Sequence, residues 1–214
     1  MEAEILYRDA ALAVCLKRAG VLSEEGGMPA LLREALGGEI YCVHRLDKAV
    51  GGVMVYARTR EAAAALSAAI ARGEIKKEYL AVVQGVPAEA SGTLRDLLYH
   101  DAARSKSYVV TRARRGVREA VLDYTLLGVA AHEDACLSAL RIALHTGRSH
   151  QIRVQFASRG LPLVGDGKYG ASLRSGPLAL WSASLGFPHP LTGERLRFSA
   201  PPPAGFPWEL FKFT

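Results

Sequence analysis

The stretch YCVHRLDKAVGGVMVYAR, residues 41–58, sets a lone carboxylate, Asp47, between two apolar flanks. Tyr41, Val43 and Leu46 precede it, and Val53, Met54 and Val55 follow. Both flanks therefore predict buried strand, with Gly51-Gly52 as a turn where the backbone passes close to a neighbour. An aspartate is seldom buried without a partner. Asp47 is thus expected either to cap the turn, as Asp beside Gly commonly does, or to meet a cation supplied by another part of the chain.

Working outward, residues 5–16 predict two short strands around a Tyr-Arg-Asp-Ala turn. Pro29 opens a short helix whose Leu31, Leu32 and Leu36 share a face. The alanine-rich run after Thr59 predicts a helix, with Thr59 as N-cap and Gly73 as stop. IKKEYLAVVQG, residues 75–85, alternates as a strand and carries Tyr79, an aromatic suited to a core or to supporting a flat ring. Residues 86–103 predict turn and loop. AVLDYTLLGVA and ACLSALRIAL predict two strands joined at His132-Glu133-Asp134. A helix over 149–159 follows, with Ile152 and Phe156 on its buried face and Gly160 closing it. Arg148 and Arg153 fall near its start, where a carboxylate or phosphate would be welcome. The tail predicts two more strands around a Pro-rich turn and the Thr192-Gly193 corner.

At 214 residues, half of them apolar and 22% charged, the chain suits one domain with a substantial core. We expect residues 1–214 to form a single domain. No apolar run approaches the roughly 18 residues of a membrane span, and the N-terminus lacks the pattern of a secretory signal, which predicts a cytoplasmic protein without membrane contact. Cys15, Cys42 and Cys136 lie far apart in apolar stretches and predict reduced core thiols. The six His form no ligand spacing, so no metal is expected. The net charge is +6, and residues 104–118 (RSKSYVVTRARRGVR) hold six Lys/Arg and no acid. That strip reads as a solvated hairpin or as a phosphate-facing surface built on Arg112, Arg114 and Arg115.

Four blocks in register carry a resemblance. His44-Arg45-Leu46-Asp47 resembles the H-R-L-D signature of the RluA-like RNA pseudouridine synthases. Lys77, Tyr79, Ala81, Val83 and Gly85 match that family's K-x-Y-x-A-x-V-x-G. Residues 146–153 match T-G-R-x-H-Q-I-R, and residues 160–170 match G-x-P-x-V-G-D-x-x-Y-G. The chain departs from the pattern at Val50 and Gly51, at Gln155 in place of a His, and at Trp181-Ser182 in place of H-A. The resemblance begins near residue 5, so the expectation is a catalytic domain without the small N-terminal RNA-binding domain of many relatives.

This resemblance implies an α+β fold, a mixed and mostly antiparallel sheet with flanking helices and a central active-site cleft. It implies an isomerase that converts specific uridines of structured RNA, ribosomal or transfer, to pseudouridine without a cofactor, acting as a monomer. By the same resemblance Asp47 is the nucleophile, Arg153 its cation within about 2.7 to 3.2 Å, and Tyr79 the ring against a flipped base. Arg45 fills the vacated stack, while His44, Arg148 and His150 join the basic strip in contacting RNA. Two other readings compete. One is a non-catalytic RNA-binding or ribosome-assembly protein on this scaffold. The other is a hydrolase using Ser149 and His150, disfavoured because adjacent helical residues point about 100° apart.

Overall fold

The computed structural model describes residues 2–173 and 176–213. In chain order its elements are β1 (Glu4–Arg8), β2 (Leu12–Lys17), α1 (Met28–Leu36), β3 (Tyr41–Cys42), β4 (Gly51–Ala57), α2 (Arg60–Ala71), β5 (Lys76–Gln84) and β6 (Ser91–Asp101). They continue with β7 (Lys106–Val110), β8 (Val117–His132), β9 (Ala135–Leu144), α3 (Gln151–Ala157), β10 (Leu180–Pro188), β11 (Arg195–Ser199) and a 3-10 turn at Trp208–Leu210. The chain divides into two compact units. Residues 1–77 and 181–201 form one, and residues 78–180 and 202–214 form the other.

In the first unit the strands run in the order β1-β2-β4-β10, with β3 also on β4 and β11 on β10. The β2–β4 pairing is antiparallel and that of β4 with β10 is parallel, so the sheet is mixed. Every residue of β4 is buried. Such a continuous apolar strand needs cover, and α2 supplies some of it. Thr59 accepts the Ala62 N–H through its side chain at 3.1 Å, which starts the helix. Ala62, Leu66 and Ala69, spaced to share one face, then join Val53, Val55, Leu12, Val14 and Phe187 in one core.

In the second unit the strands run in the order β5-β9-β8-β6-β7, with β6 antiparallel to both β7 and β8. β8 and β9 meet in a tight hairpin whose Glu133 takes φ 51°. Against this sheet Val154 of α3 packs on Leu98 and Ala120, and Phe156 meets Tyr124 edge-on at 5.7 Å.

Several local expectations change. The segment before Asp47 is strand only at Tyr41–Cys42, and 43–50 is irregular, because the Val55 N–H bonds the ring of His44 rather than a strand carbonyl. The expected loop at 86–103 contains the eleven-residue β6. Its charges broke the apolar alternation, yet Arg95 pairs with Glu119, and Asp96 pairs with Arg159 and accepts from Gln155. The helix expected at 149–159 is α3, only Gln151–Ala157, since His150 stands at its start in left-handed geometry, φ 54°. Of the three cysteines only Cys15 is core, while Cys42 and Cys136 are exposed.

Gly51-Gly52 opens a strand rather than making a turn, but the close backbone approach is real. A Cβ on Gly52, φ +124°, would stand 2.3 Å from the Ser182 carbonyl oxygen, and one on Gly51 would stand 2.5 Å from the Trp181 ring. Gly52→Ala should therefore cost about 2 to 4 kcal/mol, from backbone strain and overpacking together. Urea unfolding measures it, and a loss below the error of that experiment would show that β10 yields easily.

Candidate active site

Asp47 is half-buried on an irregular segment braced from several sides. The buried Ser23 hydroxyl donates to the Leu46 carbonyl at 2.9 Å and accepts the Leu46 N–H at 3.0 Å. Ser23 is in turn held by the Tyr56 phenol, which donates to its carbonyl at 2.9 Å. Gly20 N–H donates to the Lys48 carbonyl at 2.7 Å, and Val50 N–H to the Asp47 carbonyl at 2.9 Å. The residues on either side of the carboxylate are thereby fixed.

Lys17 supplies a cation in the same unit. Its side chain is wholly buried, and Nζ donates to the carbonyls of Arg18 at 3.2 Å, Val21 at 2.6 Å and Lys48 at 3.1 Å. Three acceptors satisfy an ammonium's three donors. Burial pulls its pKa down to about 8, against the attraction of Asp47, which supports the charged form.

His44 is buried, and its Nε2 accepts the Val55 N–H at 3.2 Å. The ring expected to contact RNA is thus a structural tie between the Asp47 segment and β4. Burial, with the Lys77 charge adding to it, pushes its pKa down to about 3. Arg45 is exposed and ion-paired with Glu24 at 3.0 Å, an open contact of little energetic weight.

The second unit holds the other group. Arg153 is buried on α3, and its fork closes on Asp166, Nε to Oδ2 at 2.7 Å and the second terminal nitrogen to Oδ1 at 2.8 Å. Its guanidinium carbon lies 5.1 Å from the centre of the Tyr169 ring. The Tyr169 hydroxyl accepts the Ser107 N–H at 2.8 Å and meets His150 Nδ1 at 2.9 Å. Gln151 ties the preceding loop: Oε1 accepts from Thr146 Oγ1 and from the Arg148 N–H, while Nε2 donates to the Val121 carbonyl. Arg148 sends its Nε to the Glu119 carbonyl. Tyr79 is buried on β5. Arg112, Arg114 and Arg115 are exposed between β7 and β8, with Arg114 over the Tyr99 ring at 4.9 Å.

Asp47, His44 and Arg45 thus belong to one unit, and Tyr79, Arg153, Arg148 and His150 to the other. Ser23 and Tyr56 look like ordinary loop and strand residues, while Lys17 opens the stretch Lys17-Arg18-Ala19-Gly20, which resembles a K-P-A-G of the RluA-like family. Asp166 and Tyr169 stood inside a matched motif, but their function as partners of Arg153 required coordinates. Among the described residues no cluster of His, Cys, Asp and Glu could hold a metal, and no helix is long and apolar enough to cross a membrane.

The His44 ring gives a pH test. Its folded pKa, about 3, lies below the ordinary 6.5, so the unfolded chain takes up the proton first. The contribution is fully present above 6.5 and is lost as pH falls from there toward 3. His44→Gln, which still offers an acceptor to Val55, should lose stability less steeply over that window in urea titrations. Equal slopes for both proteins would mean that the ring does not stay neutral in the fold.

Residues 11–158 match the family model described as RNA pseudouridylate synthase. The chain is 36% identical over 165 residues to the uncharacterized RNA pseudouridine synthase YjbO of Bacillus subtilis, aligning 77% of this chain with 56% of that protein. It is 38% identical over 177 residues to the ribosomal large subunit pseudouridine synthase D of Xanthomonas campestris, at 75% and 51% coverage. It therefore spans about half the length of these curated relatives. Its relative of the same name in Pseudomonas aeruginosa is 32% identical, with 98% of this chain and 71% of that protein aligned. In fold the chain is similar to human RNA pseudouridylate synthase domain containing 1, with TM-score 0.83 and 22% identity, covering 94% of this chain and 84% of that one. By the span of the family match and the identity to these relatives, the chain belongs to the RNA pseudouridylate synthase family.

Proposed function

We propose that this protein is an isomerase that converts uridine in structured RNA to pseudouridine, with Asp47 as the nucleophile. The observation that carries this reading is the bracing of the Asp47 segment. Lys17, Ser23 and His44 make four hydrogen bonds that hold the short irregular loop carrying the Asp47 carboxylate, and Tyr56 in turn holds Ser23. A loop held this firmly suits a group that must meet its target in one orientation.

In the proposed reaction the bond between uracil N1 and the ribose anomeric carbon breaks, the base turns, and a bond from C5 to that carbon forms. The proton leaves C5 and N1 gains one, so no oxidant, reductant or cofactor is needed. Asp47, as carboxylate, bonds either to that anomeric carbon or to the uracil ring and is released when the C5 bond forms, with Arg153 as its cation. Tyr79 lies against the displaced base in this reading. Reaching a base inside a stack costs about a few kcal/mol, and Arg45 is the side chain assigned to the space it leaves. Arg112, Arg114 and Arg115, with Arg148 and His150, contact the RNA. Ribosomal RNA is the first substrate to test, since two of the relatives bear the name ribosomal large subunit pseudouridine synthase D, and transfer RNA is the second.

The deciding variant is Asp47→Asn, which keeps shape and loses the nucleophile. It should bind RNA within about twofold of wild type, a change well under the 1.4 kcal/mol that equals a tenfold difference, and form no pseudouridine. Product at near wild-type rate would sink the assignment. A second measurement addresses the basic strip. Neutralising Arg112, Arg114 and Arg115 should flatten the salt dependence of RNA binding by roughly 0.7 to 0.9 per lost phosphate contact. An unchanged slope would return the strip to solvent.

A further inference from the structure

The matched block at 160–170 contains an aspartate and a tyrosine for which the proposed chemistry has no direct use. Asp166 is 1% exposed, and its carboxylate takes both parallel bonds of the Arg153 fork. The turn carrying it is closely held: the Tyr169 and Ala171 N–H groups both donate to the Asp166 carbonyl at 3.1 Å, and the Asp166 N–H donates to Leu163 at 3.0 Å. Gly165, φ +79°, lets this turn press against the chain, since a Cβ there would stand 2.5 Å from the Pro177 carbonyl oxygen. Tyr169, three residues on, comes under the guanidinium, with its hydroxyl anchored by the Ser107 N–H and His150. Ser107, itself 1% exposed, is fixed by donating to the Ser149 carbonyl at 2.6 Å.

We propose that Asp166 and Tyr169 are positioning residues that set the orientation of the Arg153 guanidinium, one through its Nε edge and the other through its face. The inference rests on the reading that Arg153 is the cation of Asp47. A buried ion pair adds little net stability over apolar packing of the same volume, so stability alone is a weak reason for this arrangement. Orientation is a better one. A guanidinium is planar and its donors point in fixed directions, so gripping the Nε side through two bonds and covering one face leaves its remaining edge a single heading. A lysine could not be aimed in this way. Tyr169 adds the attraction of its ring for a cation, and burial raises the pKa of its phenol, which keeps the ring neutral.

The test is a double-mutant cycle of Asp166→Asn and Arg153→Lys in the whole chain, read by single-turnover pseudouridine formation and by RNA Kd. Each single variant should lose about 10- to 100-fold in rate, the scale of a misplacement near 1 Å, with RNA Kd unchanged. The double variant should be no slower than the worse single one, because a residue acting only through the fork has nothing left to position once the fork is gone. Losses that multiply would overturn the proposal, as would a wild-type rate for folded Asp166→Asn beside a slow Arg153→Lys. A wild-type rate for Arg153→Lys would instead overturn the assignment of Arg153 to Asp47. Should Asp166→Asn fail to fold, Asp166→Glu decides, since it keeps the charge and displaces the fork. A loss of about 10-fold or more at unchanged Kd supports positioning, and a wild-type rate refutes it.

Discussion

A buried ammonium stands behind the candidate site. Lys17 sits at the end of β2 with no exposure to water, and its three donors meet three carbonyls, one of them on the residue after Asp47. Removing a charge from water is costly unless every donor is met. The chain meets the requirement by folding residues 18–21 and 46–48 around one point. The consequence is a fixed segment and a positive charge near Asp47, obtained from a residue that never has to touch substrate. Ser23 and His44 extend the same logic, each replacing a backbone partner that the irregular loop cannot offer itself.

In the second unit the constraint is different in kind. α3 has only seven residues and no capping side chain of its own. Its start is stabilised instead by Gln151, which reaches back to Thr146 and the Arg148 N–H and across to β8. Arg153 is therefore presented on a short helix tied to the sheet rather than on a long one with its own stability. Gln155, where relatives by resemblance carry a His, is also drawn into structure. Its amide nitrogen donates to the Asp96 carboxylate at 2.7 Å, and Arg159 closes on that same carboxylate from solvent at 2.9 Å. The departure is thus tied to β6 through its amide nitrogen, while its Oε1 is buried without a hydrogen-bond partner among the described residues.

The mixed sheet follows from one close approach. Where the pattern of the resembled family has Thr-Ser, this chain has Val50-Gly51, and where that pattern has His-Ala it has Trp181-Ser182. The two departures meet: Trp181 pairs with Gly51 and Ser182 with Gly52 in the parallel register of β10 on β4. A ring as large as that of Trp181 fits because Gly51 has no side chain there, and its indole N–H donates to the Ala200 carbonyl at 3.0 Å. The two departures are thus neighbours in the fold, and the missing side chain of one makes room for the ring of the other.

Periodicity and end signals in the sequence determined the regular elements around this site: α2 from Thr59, the apolar strand β4, the β8–β9 hairpin and the β10–β11 pair all lie where apolar spacing and turn residues put them. The motif blocks likewise marked Asp47, Tyr79 and Arg153. Such signals are local, carried by residues within a turn or a strand of one another. What tertiary structure decided was who meets whom. That Lys17 is a buried tie, that His44 serves a backbone N–H, that Asp96 of β6 pairs with Arg159 beyond α3 and that Asp166 grips Arg153 depend on contacts between residues 11 to 63 positions apart. A side chain's hydrogen-bond partner at that separation is set by how the sheet and loops pack, so no local pattern records it.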